Sequence, residues 1–410
     1  MLIHSLQEQC VENAQDSHLI CIQDTTEYNY NHHAGRLNKD ERGVVGNNTD
    51  RGFFAHVMLC FDASTSLPVG ISSVHQWNRA PEESKRKPAN AYKELPIEDK
   101  ESFRWIEAAE TTKSLLGNAK HLTFVSDRES DIYQLWCRIP DDKTDVIIRA
   151  RTDRKLADSS STVFGMLDKQ SIVGNYQIEL RNDSRKGRRS RKVKLNVKYA
   201  ECQILKPPRA KSTSVKDPDT ITLYVVEARE DEQTICPDDT PVHWVLYTTR
   251  QINSFEQALQ VIQDYSFRWQ IEQFFRITKK QSIDLESSQL ERDAGLMKLS
   301  IFGFAIALKI LQLNLARDGM PNDKASKCFT PEEIQLLDAI APTIPTTTEK
   351  QQNPHPVHTL AWASWIIAWL GGYSGYLSQS PPGPITYYRG LDKFFKIAEG
   401  FRLARIVYKE

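Results

Sequence analysis

The chain has no excess of charge of either sign: lysine plus arginine and aspartate plus glutamate each number 53 among 410 residues. This removes the whole-molecule basic field that would argue for a nucleic-acid partner, so any such case must come from local clusters. Seven cysteines, at 10, 21, 60, 137, 202, 236 and 328, include no Cys-x-x-Cys pair. Several sit inside apolar runs and read as reduced interior residues, which favours a reduced cytosolic interior over a disulfide framework or a zinc site. No basic segment followed by an apolar one stands near the N-terminus, so no signal peptide is evident. The apolar stretch 295–316 carries Lys298 and Lys309, which favours a buried helix over a membrane span, and 362–370 is too short to cross a bilayer. Repeats and low-complexity tracts are also missing. What remains is ordinary for a soluble protein with one large core or two to three domains: 40% apolar and 26% charged residues.

Two short apolar runs each close on an acid: LICIQD ends at Asp24 and LTFVSD at Asp127. Both are rich in strand formers, too short for helices, and read as buried strands. In an open α/β sheet, side chains at strand ends emerge into a crevice, where Asp24 and Asp127 can meet. Either acid alone would serve as a turn or cap residue. Ser130 or Asp131 would cap a helix running through Trp136.

Further along, YSFRWQIEQFFRITK places Tyr265, Arg268, Glu272 and Lys279 on one expected helix. At 3.6 residues per turn their offsets fall within a stripe roughly 60° wide. A solvated face with an Arg268–Glu272 pair would explain such a helix by itself. With two matched strand-end acids elsewhere, Glu272 instead completes a three-carboxylate metal site flanked by two cations and a phenol.

The remaining pattern gives strands at 19–24, about 53–63 and 67–77, then a helix over 100–116. A strand at 121–127, a helix at 130–138 and a strand at 145–151 follow. Alternating strands at 176–180, 193–197, 222–226 and 243–248 then fill the long interval before Tyr265 and read as an inserted β-domain. Within it, Arg185, Lys186, Arg188, Arg189, Arg191, Lys192 and Lys194 are seven cations in ten residues. They suit phosphate contacts on a basic hairpin, with a solvated tip as the alternative. Arg149 and Arg151 are weaker candidates for the same role. Adjacent His32 and His33, in a polar loop, point apart and read as solvated. After the helix come an apolar helix over about 291–317 and a Pro- and Thr-rich linker near 341–356. A final helical segment follows, on which Trp362, Trp365 and Trp369 share a face.

The chain resembles the bacterial DDE transposases of the insertion-sequence-four family, the branch that includes the transposon-five transposase. QDTT around Asp24, SDRESDIY around Asp127 and the Y-x2-R-x3-E-x6-K helix carry the resemblance. RGFFAH at 51–56, KES at 100–102 with Trp105, and PPGPIT at 381–386 extend it over most of the chain. It implies an α/β, ribonuclease-H-like (retroviral-integrase-like) catalytic core with a large inserted β-domain and a helical C-terminal region. The expected boundaries are 1–153 for the first part of the core, 154–250 for the insertion, 251–320 for the catalytic helix and the end of the core, and 321–410 for a C-terminal region that packs on the core or dimerises.

The implied function is cut-and-paste transposition by a Mg2+-dependent enzyme at the bacterial nucleoid. Asp24, Asp127 and Glu272 would hold two Mg2+ ions, for which Mn2+ would substitute. The DNA partners would be the element's ends and target duplex, engaged by a homodimer. Arg268 and Lys279 would hold phosphates with Tyr265 as hydrogen-bond partner, and Trp244, 21 residues before Tyr265, would stack on a flipped base. The implied steps are a first nick, hairpin formation, hairpin opening and strand transfer. Asp24 stands nearer the start than the family's N-terminal DNA-binding domain allows, with residues 7–13 at most a remnant helix. The expected alternative is therefore a truncated, non-transposing regulator that forms inactive dimers with full-length transposase.

Overall fold

The computed structural model describes residues 2–33, 35, 43–46, 49–80, 89–158, 161–180, 190–213, 216–236, 239–319, 323–345, 348–376 and 378–408. In chain order the first half runs α1 (Leu2–Ala14), β1 (His18–Asn29), β2 (Gly52–Asp62), β3 (Pro68–Trp77), α2 (Ala89–Lys93), α3 (Arg104–Leu115), β4 (His121–Ser126), α4 (Tyr133–Arg138), β5 (Thr144–Arg149) and α5 (Val163–Asp168). It continues with β6 (Gly174–Leu180), β7 (Arg191–Leu205), β8 (Thr220–Glu230), β9 (His243–Thr248), α6 (Phe255–Ser266) and α7 (Arg268–Arg276), and ends with α8 (Asp293–Ala316), α9 (Pro331–Ile340), α10 (Leu360–Leu370) and α11 (Pro384–Tyr408). The chain is thus mixed α/β, and it divides into two compact units. One holds Met1–Ser17, Thr25–Lys85 and Gln270–Glu410; the other holds His18–Asp24 and Arg86–Trp269.

In the second of these units the strands follow the order β1-β4-β5-β9-β8-β7-β6. The first half of β1 pairs parallel with β4, and β4 pairs parallel with β5. Leu19 to Ile22, Phe124 to Val125 and Val146 to Ile148 are buried. Such continuous apolar runs belong to parallel strands covered on both faces. From β5 onward the pairing is antiparallel. Strand β6 alternates between half-buried and exposed residues, as a strand with one wet face does. The four strands of the expected insertion therefore extend the same sheet from β5. Helix α6 starts where Ser254 accepts a hydrogen bond from the Gln257 N–H, and it packs on β4, β5, β7 and β8.

One polar network ties this unit together. The Arg250 guanidinium donates to both oxygens of Asp145 (3.1 and 3.2 Å), to Asp264 on α6 (2.7 Å) and to Thr123 on β4 (2.8 Å). His121 meets Asp145 at 2.8 Å. Burial would raise the Asp145 pKa, but His121 and Arg250 outweigh it and hold the carboxyl below its usual range.

In the other unit, β2 pairs antiparallel with β3 and neighbours the second half of β1. Helix α1 was expected only as a possible remnant over 7–13; it runs from Leu2 to Ala14 and packs on β3. Gln7 donates to the Ser72 carbonyl, and Asn13 to those of Val69 and Lys327. Helix α8 is long and apolar enough to cross a membrane by length and composition, with half of its most apolar window buried inside the protein. It packs on α1, β2, β3, α10 and α11. Helix α9 opens with a capping box, Thr330 to Glu333, and Pro331 in its first turn. Trp362 is buried on α10, while Trp365 and Trp369 are half-buried.

The expectation of one straight helix from Tyr265 to Lys279 is corrected. Helix α6 ends at Ser266, α7 covers Arg268–Arg276, and a π-helical turn spans Ile277–Gln281. A π turn has more residues per turn than an α-helix, so the 60° stripe does not extend to Lys279.

Candidate active site

The β1–β4 register positions the two aspartates. Ile22 pairs with Val125, and two residues further along come Asp24, still in β1, and Asp127, in extended backbone just past the end of β4. An equal step of two on parallel partners keeps both side chains on one face, one strand spacing apart. Asp24 is not at a strand end as expected, because β1 continues to Asn29; it lies where the pairing with β4 ends. Beyond Ser126 the backbone stays extended through Asp127, whose Oδ1 accepts the Glu129 N–H at 2.8 Å. That bond caps a short 3-10 turn, so Asp127 caps and also faces the site. Asp131, considered as a helix cap, instead binds Arg154 and the backbone N–H groups of Arg151 and Thr152.

Around the aspartates the same unit gathers cations. The Arg268 guanidinium lies 3.9 Å from Asp24 Oδ2. Tyr265 is 5% exposed. Burial raises the pKa of its phenol, with Arg268 and Arg149 opposing and Asp127 reinforcing that rise. The group therefore stays protonated at neutral pH and can donate a hydrogen bond. Arg149, at the end of β5, donates to the His243 carbonyl at 3.1 Å and lies among Tyr265, Arg128 and Arg268. Its sequence signal was only an alternating cation on a strand. Trp244, half-buried on β9, has its ring centroid 6.5 Å from that of Tyr265.

Among the basic-run residues, Arg185, Lys186, Arg188 and Arg189 lie outside the described residues. Lys192 is exposed on β7. Arg191, expected as a phosphate contact, is half-buried, and its guanidinium binds the Glu230 carboxylate, Asp239 (3.1 Å) and the Thr234 carbonyl (2.9 Å).

In the other unit, Glu272 is half-buried on α7 beside buried Ile271, Phe274 and Phe275. Lys279 stands in the π turn, 3.9 Å from Glu286 Oε1 and 5.4 Å from the Tyr28 ring centroid. Burial lowers its pKa, while Glu286 and Glu27 pull it upward.

The donor chemistry suits a hard divalent cation, since carboxylate oxygens from adjacent strands are the ligands such ions take. Among the described residues no group of three or more His, Cys, Asp or Glu is gathered to hold a metal ion. A cation held by Asp24 and Asp127 would need further oxygen donors to complete its coordination shell.

Parallel central strands, Asp24 and Asp127 just beyond their paired residues, and an arginine-flanked phenol gather acidic and cationic groups in one unit. The family model for the transposase DDE domain matches residues 104–308, half of the chain. The chain belongs to the DDE transposases, whose substrate is DNA. Asp127 and Glu272 lie inside the matched span and Asp24 precedes it.

Proposed function

We propose that the chain is a cut-and-paste transposase of the insertion-sequence-four type, with a ribonuclease-H-like core and Asp24, Asp127 and Glu272 as its catalytic acids. The observation that supports this reading is the parallel β1–β4 register, with Asp24 and Asp127 each two residues beyond the Ile22–Val125 pair. Glu272 is the third oxygen donor, and together the three acids would hold two Mg2+ ions, with Mn2+ able to replace them. Bound there, the cations supply an activated oxygen nucleophile and relieve charge on the reacting phosphate.

The chain's own side chains supply the positioning. Arg268, 3.9 Å from Asp24, and Arg149 offer guanidinium groups to a non-bridging phosphate oxygen, in the bidentate manner that arginine favours. Tyr265, kept protonated by burial, donates to the same phosphate. Lys279 takes a neighbouring phosphate, and Lys192 with the basic run ahead of it follows the duplex backbone. The half-buried Trp244 ring beside Tyr265 offers a stacking face for an unpaired base. With one site and one set of phosphate contacts, a nick, a hairpin, its opening and strand transfer are each an in-line attack of oxygen on phosphorus. The active assembly on DNA is proposed to be a homodimer, with the C-terminal helices contributing to it.

The test is a nicking assay on duplex bearing the element's end. Asp24→Ala, Asp127→Ala and Glu272→Ala should each abolish cleavage while leaving DNA binding in a gel-shift assay intact. Full cleavage by any one variant removes that residue from the catalytic set.

A further inference from the structure

Lys279 is held by a structure more elaborate than a helix end requires. The π turn at Ile277–Gln281 is followed by Asp284 in the left-handed region (φ 47°), a conformation a non-glycine residue adopts at a cost. Leu285 is buried next, and a Cβ added at Gly303 on α8 would meet its side chain at 3.1 Å. That anchor returns the chain so that Glu286 Oε1 accepts the Asn29 N–H at 3.0 Å and faces Lys279 Nζ at 3.9 Å. Beneath, Tyr28 presents its ring to the ammonium and shares a 2.7 Å hydrogen bond with Thr278. π turns and left-handed non-glycine residues concentrate at functional sites. Here both serve to bring one carboxylate back to one ammonium.

We infer that Glu286 is a positioning residue, which holds the Lys279 ammonium extended over the Tyr28 ring and poised to receive a DNA phosphate. This rests on the reading of Lys279 as a phosphate contact. The 3.9 Å separation is an ion pair without a short hydrogen bond, so an arriving phosphate can take the ammonium's donors without first breaking one. The charged groups facing Lys279 are Glu286 from the returning loop, Glu27 from β1 and Lys280 beside it, with the Tyr28 phenol below. Burial disfavours the ammonium and Glu286 counters it, so removing the Glu286 charge lowers the pH at which Lys279 loses its proton.

Glu286→Gln tests this, because its amide oxygen can still accept the Asn29 N–H while the charge is gone. In the full-length protein with reductively 13C-methylated lysines, the Lys279 signal, assigned by its loss in Lys279→Arg, is titrated without DNA. In parallel, affinity for a duplex bearing the element's end is measured against pH. The expected result is a Lys279 midpoint moved to lower pH and an affinity loss of about fivefold at neutral pH. The alkaline limb of binding should also shift to lower pH, and Glu286→Asp should restore part of each effect. An unmoved midpoint in a folded variant overturns the inference. A moved midpoint with unchanged affinity in both Glu286→Gln and Lys279→Ala overturns the phosphate reading of Lys279 and leaves the hold of Glu286 on it standing. Should Glu286→Gln fail to fold, Glu286→Ala removes the same charge, and an unmoved Lys279 midpoint there overturns the inference as well.

Discussion

Replacing Arg250 by methionine keeps most of the side-chain volume and removes the charge that joins β4, β5 and α6. Asp145 and Asp264 are 7% and 3% exposed, so neither carboxylate can turn to water for compensation. Among the described residues, Asp145 retains His121 and Asp264 retains the Gln260 amide at 2.8 Å. Removing one partner of a buried charge pair costs about 3–5 kcal/mol. The expected loss at pH 7 is therefore about 3–5 kcal/mol.

The deficit should shrink at acid pH, and the sign follows from linkage. In the wild type Arg250 helps to hold the Asp145 pKa below its usual range, which contributes stability above the unfolded carboxyl pKa and loses it as pH falls through the folded value. Without Arg250 that contribution is smaller, so the two proteins converge toward acid. Urea unfolding of both proteins at pH 7 and pH 3 measures this. Adding Asp264→Asn to Arg250→Met should recover at least half of the pH 7 loss. A deficit under about 1 kcal/mol, or one equal at the two pH values, would refute a network dominated by buried charge.

Two further outcomes follow from single side chains. Trp244→Ala should impair hairpin formation far more than the first nick in a time-resolved cleavage assay, whereas equal losses would assign the ring to packing alone. Gly390→Ala should destabilise the chain by about 2 kcal/mol or more in thermal unfolding, because the new Cβ would meet the Ile367 carbonyl oxygen at 1.9 Å and force α11 off α10; an unchanged Tm would contradict that close approach.

Much of the sheet was legible because parallel strands buried on both faces leave unbroken apolar runs, as at 19–22, 122–125 and 146–148. The same signal hid the true length of β1. Residues 25–29 are polar in sequence, yet the strand continues through them with Tyr28 buried beside Phe53. The break at Phe267 and the π turn were invisible because periodicity assumes a constant 3.6 residues per turn. Arg191 looked like its neighbours in the basic run. Its partners Glu230 and Asp239 lie 39 and 48 residues away, and only strand pairing brings them near. Arg149 was underrated for the converse reason, since an alternating cation carries no sign that a buried phenol and a second guanidinium await it. Asp24 and Asp127 each follow an apolar run, and the parallel pairing of those runs was legible in the sequence.

Binding of Mn2+ by the wild-type protein on its DNA end, followed by electron paramagnetic resonance, tests the central claim most directly. Two ions should bind per chain, and Asp24→Asn, Asp127→Asn and Glu272→Gln should each remove or markedly weaken at least one of them. Unchanged occupancy in all three variants would show that these acids are not where the cations are held.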